Sequence, residues 1–289
     1  MILPNFLIVG AMKAGTTTLA DYLHAHPSLK ISSQEIHFFD RDINYKKGLD
    51  WYSKKLQGFS YYLPHSLKIS NPEQCYYGDK TPTYSYKKKC AKRIKETLPR
   101  IKIIWSFRDP SIRVYSNYLH AKRNGGELLD FREAVNREKE RIKSNIFWGY
   151  VERSKYAVQV KRFLEFFDKK QMHFMLFEDF LKNKQKELKK VTDFLSVNPL
   201  GENLPEFHSN KTKMPFSYKS LYYSRQIGKR LGPPGKLIYY STKGINLILP
   251  KPKPQIPPDI KEELDEYFVP YNEKLAKLTG LDLSSWDEN

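Results

Sequence analysis

Cysteine is nearly absent from this chain of 289 residues, acidic side chains are scarce, and no long apolar run occurs. Cys75 and Cys90 are its two cysteines, which excludes a disulfide scaffold and a zinc site built on cysteine alone. Reduced thiols are the expectation, with a single bridge between the two as the other arrangement. No His, Cys and carboxylate cluster stands at ligand spacing, so no metal is expected. The most apolar late stretch, LIYYSTKGINLIL (237–249), carries Lys243 and falls short of the roughly 20 residues that span a bilayer. It reads as a packed or interfacial helix. A glycine turn ten residues from Met1 leaves no room for a signal peptide or anchor ahead of the fold, so a soluble, cytoplasmic chain is expected. Asp and Glu number 32 against 50 Lys and Arg, a net charge of +18. That imbalance predicts a polyanionic ligand, a nucleic acid or an anionic surface, and charge alone does not choose among them.

With 40% hydrophobic and 14% aromatic residues, the chain can bury a sizeable core. Apolar runs alternate with amphipathic ones, as in a parallel sheet covered by helices, so one α/β domain over 1–289 with insertions is expected. Buried strands are predicted at 5–9, 75–79, 101–107 and 172–177, and helices at 16–25, 83–97, 111–123, 131–143, 153–168 and 184–195. After Val197 the rhythm fails, and the chain reads as loop, basic and aromatic, as far as Gly235, within a basic aromatic insertion at about 208–250. PKPKPQIPP (250–258) is a stiff connector, and an amphipathic helix over 259–278 ends before Gly280.

Four stretches carry chemistry. FLIVGAMKAGTTTL (6–19) runs from strand through a glycine turn to a Thr-rich helix start. Free N–H groups and the helix dipole favour an anion there, and Lys13 adds a full charge. Thr16, Thr17 and Thr18 can cap the helix and donate hydroxyls to phosphate oxygens. A Walker A loop would place its lysine after the second glycine, whereas Lys13 lies between Gly10 and Gly15. In QEIHFFD (34–40), Glu35 and His37 are two apart and project to the same side of an extended segment. Either can take a proton from an acceptor hydroxyl; a surface Glu beside a half-buried His is the plainer reading. YYGDKTPTY (76–84) brings Asp79 and Lys80 to a strand end, where ligands bind in open α/β sheets, although a capping turn with a solvent-facing lysine has the same letters. IKIIWSFRDPSIRVYSNYLHAKR (101–123) ends a strand at Arg108 and sets Ser116 on the next helix. That pair can hold a second phosphate, the Arg bidentately, unless Arg108 is taken by a carboxylate. HSNKTKMP (208–215) is a further basic loop that can close over a nucleotide or stay solvated.

The ordered set resembles the sulfotransferases that use 3'-phosphoadenosine 5'-phosphosulfate (PAPS), above all the carbohydrate, heparan-sulfate-type branch and its bacterial members. GAMKAGTTTL is similar to that family's 5'-phosphosulfate loop, EIHFFD to its catalytic segment, DKTPTY to its K-[ST]-P-x-Y strand end, and RDPSIRVYSNYLH to its 3'-phosphate motif, with Arg108 and Ser116 eight apart. YVERSKYAVQVKRFLEFF and LTGLDLSSW extend the likeness over most of the chain. Gln34 stands where many members carry a lysine, and the late K-x-R glycine loop is only loosely echoed by Lys211 and Lys213. The basic, Tyr-rich 216–248 stretch matches no acceptor site.

The resemblance implies a P-loop NTPase-like three-layer α/β fold with a central parallel sheet. It implies sulfuryl transfer from PAPS to an acceptor hydroxyl, releasing adenosine 3',5'-bisphosphate without a metal. Lys13, Ala14, Gly15, Thr16, Thr17, Thr18, Arg108, Ser116, Lys211 and Lys213 would bind the nucleotide. Glu35 would act as base with His37 orienting it or serving instead, and Lys80 would contact the moving group. The acceptor is expected to be a glycan, sterol, lipid or other small alcohol. A P-loop kinase and a non-catalytic nucleic-acid binder are the rival readings. The lysines of KKKCAKRIK (87–95) and KNKQKELKK (182–190) fall largely on exposed helix faces, so a weak, salt-sensitive polyanion affinity is expected in place of a specific nucleic-acid site.

Overall fold

The computed structural model describes residues 1–58, 75–201, 214–248 and 251–287. The chain folds into two compact units. One is Met1–Asp109 with Lys155–Phe207 and Pro270–Asn289, and the other is Pro110–Ser154 with His208–Val269.

The first unit is organised by five parallel strands: β1 (Phe6–Gly10), β2 (Leu29–Ile31), β3 (Tyr76–Lys80), β4 (Lys102–Phe107) and β5 (Met172–Leu176), in the order β2-β3-β1-β4-β5. Strand side chains alternate between faces, and here both faces are buried, which is why β1, β4 and β5 read as largely apolar runs. Leu7 and Val9 of β1 join Ile103, Trp105 and Phe107 of β4 in one core, and Phe6 and Ile8 join Ile104 in the other. The first core is covered by α3 (Gly48–Gly58), α4 (Lys88–Thr97) and α8 (Tyr156–Leu164). The second is covered by α1 (Thr16–His24), α9 (Phe177–Lys182) and α10 (Lys184–Leu195). The result is a three-layer α/β sandwich. Register pairs Ile8 with Lys80, Gly10 with Trp105, and Phe107 with Leu176, so the chain segments leaving β1, β3, β4 and β5 emerge along one carboxyl edge.

The second unit contains α5 (Pro110–Arg123), α6 (Phe131–Asn136), α7 (Glu138–Arg141), α11 (Tyr218–Arg230) and α12 (Pro233–Ile248). Tyr115, Tyr118 and Leu119 of α5 are buried as expected. So is Arg113, whose guanidinium donates to the Tyr150 carbonyl at 2.9 Å and to Ser154 Oγ at 2.8 Å. The chain also forms α2 (Asp42–Tyr45) and the long α13 (Pro258–Thr279).

Several expectations are corrected. The helix predicted over 83–97 begins only at Lys88, because Thr81 to Tyr86 form a turn in which the Tyr84 amide donates to the Thr81 carbonyl. The helix over 131–143 is broken at Arg137 into α6 and α7. The helix predicted from 153 starts at Tyr156, after a 3-10 turn over Glu152–Ser154. Residues 218–230, read as loop, form α11. β2, α2 and α3 are additional. No disulfide joins Cys75 and Cys90. Lys211 and Lys213 lie outside the described residues.

Candidate active site

The glycine loop between β1 and α1 is bound to β4 at both ends. The Ala11 N–H donates to the Ser106 carbonyl at 2.7 Å, and Ser106 Oγ donates to the Ala14 carbonyl at 2.5 Å. The backbone turns left-handed at Lys13 (φ 71°), between these anchors, and at Gly15 (φ 77°), directly after the second. Alternations of this kind line up successive N–H groups as an anion nest. A Cβ on Gly15 would run into the ring of Phe177, so glycine is required there for shape as well as for φ. One expectation needs revision: Thr16, Thr17 and Thr18 do not cap α1. Gly15 is the N-cap, without a side-chain cap hydrogen bond, and the three threonines form the first helical turn. Thr16 is buried, Thr18 half-buried and Thr17 exposed.

Glu35 and His37 come together. His37 Nε2 lies 3.3 Å from Glu35 Oε2, while Nδ1 lies 3.0 Å from Asp40 Oδ2 and 3.3 Å from Thr83 Oγ1. The segment is not extended throughout: His37 is left-handed at φ 55°, and this turn swings its ring between the two carboxylates. Asp40 is buried. Burial raises its carboxyl pKa, but the hydrogen bond and charge of His37, with Thr83 and Arg41, outweigh that and hold it below the ordinary value. Asp40 thereby fixes the ring, and the ring meets Glu35, whose side chain is 39% exposed and open to a substrate.

What holds this loop is a buried carboxylate at the end of β3. Asp79 accepts hydrogen bonds from Tyr52 OH (2.8 Å), Tyr84 OH (2.8 Å) and Thr81 Oγ1 (2.7 Å). Two of those hydroxyls in turn accept the loop's amides, Ile36 N–H to Thr81 Oγ1 at 3.1 Å and Phe38 N–H to Tyr84 OH at 3.0 Å. Asn44 Nδ2 donates to the Ile36 and His37 carbonyls at 3.3 and 3.0 Å. Phe38 stacks on Tyr52 at 4.3 Å between centroids. Full burial raises the Asp79 carboxyl to about 6, against the lowering effect of its three hydroxyl donors. Lys80, next in the chain, is also buried. Its N–H donates to Ser32 Oγ at 3.2 Å, and its charge lowers the Asp21 carboxyl against that group's larger burial effect.

Arg108 follows β4. Its Cζ lies 5.6 Å from the Phe177 ring centroid, and its ion pair with Glu178 is stretched to 4.0 Å. Glu178 is already engaged by the Asp109 N–H at 3.2 Å and Trp286 Nε1 at 3.0 Å. Arg108 Nε has no hydrogen-bond partner among the described residues. Burial lowers the guanidinium pKa against the opposing pull of Glu178, Tyr156 and Asp109. A half-buried cation so thinly paired suits an anionic ligand. Ser116 is half-buried on α5 of the second unit.

The motifs alone give no role to Asp40, Asp79, Thr81, Thr83, Tyr84 or Tyr52. Part of the signal is present, since Asp79, Thr81 and Thr83 are spaced by two and Asp40 follows His37 by three.

A family model for the sulfotransferase domain matches residues 3–279. The chain belongs to the sulfotransferase family. It is 28% identical over 286 residues to mouse (Mus musculus) heparan sulfate glucosamine 3-O-sulfotransferase 5, covering 98% of this chain and 74% of that one. It is 28% identical over 287 residues to mouse heparan sulfate glucosamine 3-O-sulfotransferase 3B1, covering 99% of this chain and 65% of that one. Among solved structures, a sulfotransferase from Alicyclobacillus acidocaldarius superposes with a TM-score of 0.70 at 26% identity, covering 99% of this chain and 100% of the other. The sandwich is thus the P-loop NTPase-like sulfotransferase fold, and the protein is a sulfotransferase enzyme. Of the three readings open to the sequence, the family match favours this one.

Proposed function

We propose that this sulfotransferase uses PAPS as donor and a glycan hydroxyl as acceptor, with Glu35 as general base. The observation that carries the proposal is the Glu35–His37–Asp40 chain, fastened through Thr81 and Tyr84 to the strand end that bears Lys80. PAPS supplies an activated sulfuryl group whose departure leaves charge on a 5'-phosphate. The left-handed turn at Lys13 and Gly15 and the N-terminus of α1 suit that phosphate, and groups aimed at developing charge accelerate the chemical step. Arg108, whose Nε makes no hydrogen bond among the described residues, suits the 3'-phosphate, and Ser116 is retained as a candidate nucleotide contact by the family spacing. Lys211 and Lys213 are retained as candidate nucleotide contacts on the same ground.

Glu35 accepts the proton of the acceptor hydroxyl, and His37, held by Asp40, orients Glu35. Lys80 lies beside the moving group and balances its charge. By analogy with phosphoryl transfer, positioning and charge neutralisation do more than the base in a loose transition state. The names of the relatives, which act on heparan sulfate glucosamine, and the net charge of +18 favour an acidic glycan acceptor. Incubation with PAPS and a panel of glycan acceptors, following release of adenosine 3',5'-bisphosphate, tests this reading. Acceptor-dependent release supports it. Release with sterol or lipid alcohols alone contradicts the glycan, and no release with any acceptor contradicts the donor.

A further inference from the structure

The α11–α12 pair in the second unit is built inside out. On α12, Gly235 and Asn246 are buried and Tyr239 and Thr242 half-buried. This spacing of 4, 3 and 4 residues makes one helix face, and the face is small and polar. Asn246 binds the Ser217 N–H at 2.7 Å and donates to Ser220 Oγ at 3.0 Å. Tyr239 OH donates to the Asn124 carbonyl at 3.3 Å. Gly228 of α11 meets Gly235 so closely that a Cβ on either would crowd the other's backbone. The apolar residues therefore have nowhere inward to go. Leu231, Leu237, Tyr240, Ile245 and Ile248 are between 58% and 73% exposed. Around α12, Leu237, Tyr240 and Ile248 fall on the side opposite Gly235 and Asn246, and Ile245 lies at the edge of that side, about 60° round the helix from Ile248.

Charge completes the pattern. Residues 214–258 contain eight Lys or Arg and no Asp or Glu, and Lys229, Arg230 and Lys236 flank the connection between the helices. An exposed apolar face rimmed by one sign of charge marks an interaction surface. A second copy of the chain would bring like charge onto like charge. A soluble acidic polymer would satisfy the lysines and leave the leucine and isoleucines in water. A bilayer with anionic headgroups satisfies both sets. No helix among the described residues is long and apolar enough to cross a membrane, so the hairpin would lie in the interface.

We propose that the α11–α12 hairpin docks the protein on anionic phospholipid bilayers, with Leu237, Tyr240, Ile245 and Ile248 among the acyl chains and the flanking basic residues on the headgroups. The proposal stands apart from the choice of donor and acceptor. It is tested with the full chain by co-sedimentation with vesicles of equimolar phosphatidylcholine and phosphatidylglycerol, beside vesicles of phosphatidylcholine alone. Binding to the first and at least about tenfold weaker binding to the second is expected, as is loss on raising salt. Leu237→Asp with Ile245→Asp lowers partitioning by roughly a hundredfold, and Lys229→Gln with Arg230→Gln and Lys236→Gln by roughly tenfold or more. All five positions are exposed, and an unchanged thermal melt verifies folding. Tyr240→Trp provides a reporter that needs no loss of binding: its emission shifts to the blue with anionic vesicles and is quenched by brominated acyl chains. Absence of that shift overturns the proposal. So does binding indifferent to Leu237→Asp with Ile245→Asp, self-association through this face without vesicle binding, or retention on a soluble acidic glycan alone.

Discussion

Exchanging Glu35 for Gln preserves the size of the side chain and removes its capacity to take a proton. In the proposed mechanism that substitution lowers kcat by roughly 10²-fold to 10⁴-fold and leaves calorimetric binding of adenosine 3',5'-bisphosphate unchanged. A near-normal kcat would remove Glu35 from the base role. Arg108→Ala acts on the other side of the reaction. Loss of a charge-assisted hydrogen bond of about 1.5–3 kcal/mol raises KM for PAPS by roughly tenfold to a hundredfold, with little change in kcat. An unchanged KM would place the 3'-phosphate elsewhere. Glu35, His37, Lys80 and Arg108 stand out in the sequence as candidates because each lies in a short motif with a chemical reason. Asp79 was less so. One of its three donors, Tyr52, is 27 residues away in sequence, and nothing local in DKTPTY says that a distant tyrosine will seal the carboxylate.

That buried carboxylate gives the loop over 35–40 its own pH dependence. The Asp79 pKa is raised to about 6 from an ordinary value of 3.8, so the folded state holds a proton that the unfolded chain has released. The resulting stabilisation is complete below the unfolded value and is lost as pH rises through the folded one. Relative to Asp79→Asn, the wild type should lose on the order of 3 kcal/mol between about pH 4 and pH 7, measured by urea unfolding at each pH. Parallel pH profiles for the two proteins would show that Asp79 is not so perturbed. In the phosphate loop, Gly15→Ala meets both an unfavourable φ and the Phe177 ring. It should destabilise by about 1 kcal/mol or more, seen as a lower urea midpoint, and an unchanged midpoint would contradict the packing. β1, β4 and β5 are legible as largely apolar runs because both sheet faces are covered, whereas β3 carries Asp79 and Lys80 at its end. β2 has three residues, too few to carry a period. α11 escaped for a different reason: its buried positions are Leu221, Ser224 and Gly228, so burial and hydrophobicity part company there.

Across the whole chain, a surplus of basic charge falls in two settings. In the first unit it is spent on buried or half-buried cations at a carboxyl edge, Lys13, Lys80 and Arg108. In the second it surrounds exposed apolar residues on α11 and α12. Composition alone predicts an anionic partner and cannot separate these uses, because only the fold decides which cations lose their water. The family model spans 3–279, so the measurement belongs at the scale of the whole chain. The most direct is calorimetric titration of the wild type with adenosine 3',5'-bisphosphate beside ADP and AMP, at moderate salt and without magnesium. Micromolar binding of the bisphosphate, with the other two weaker by about tenfold or more, is the predicted result. Equal affinity for all three, or no binding of the bisphosphate, would contradict a PAPS site.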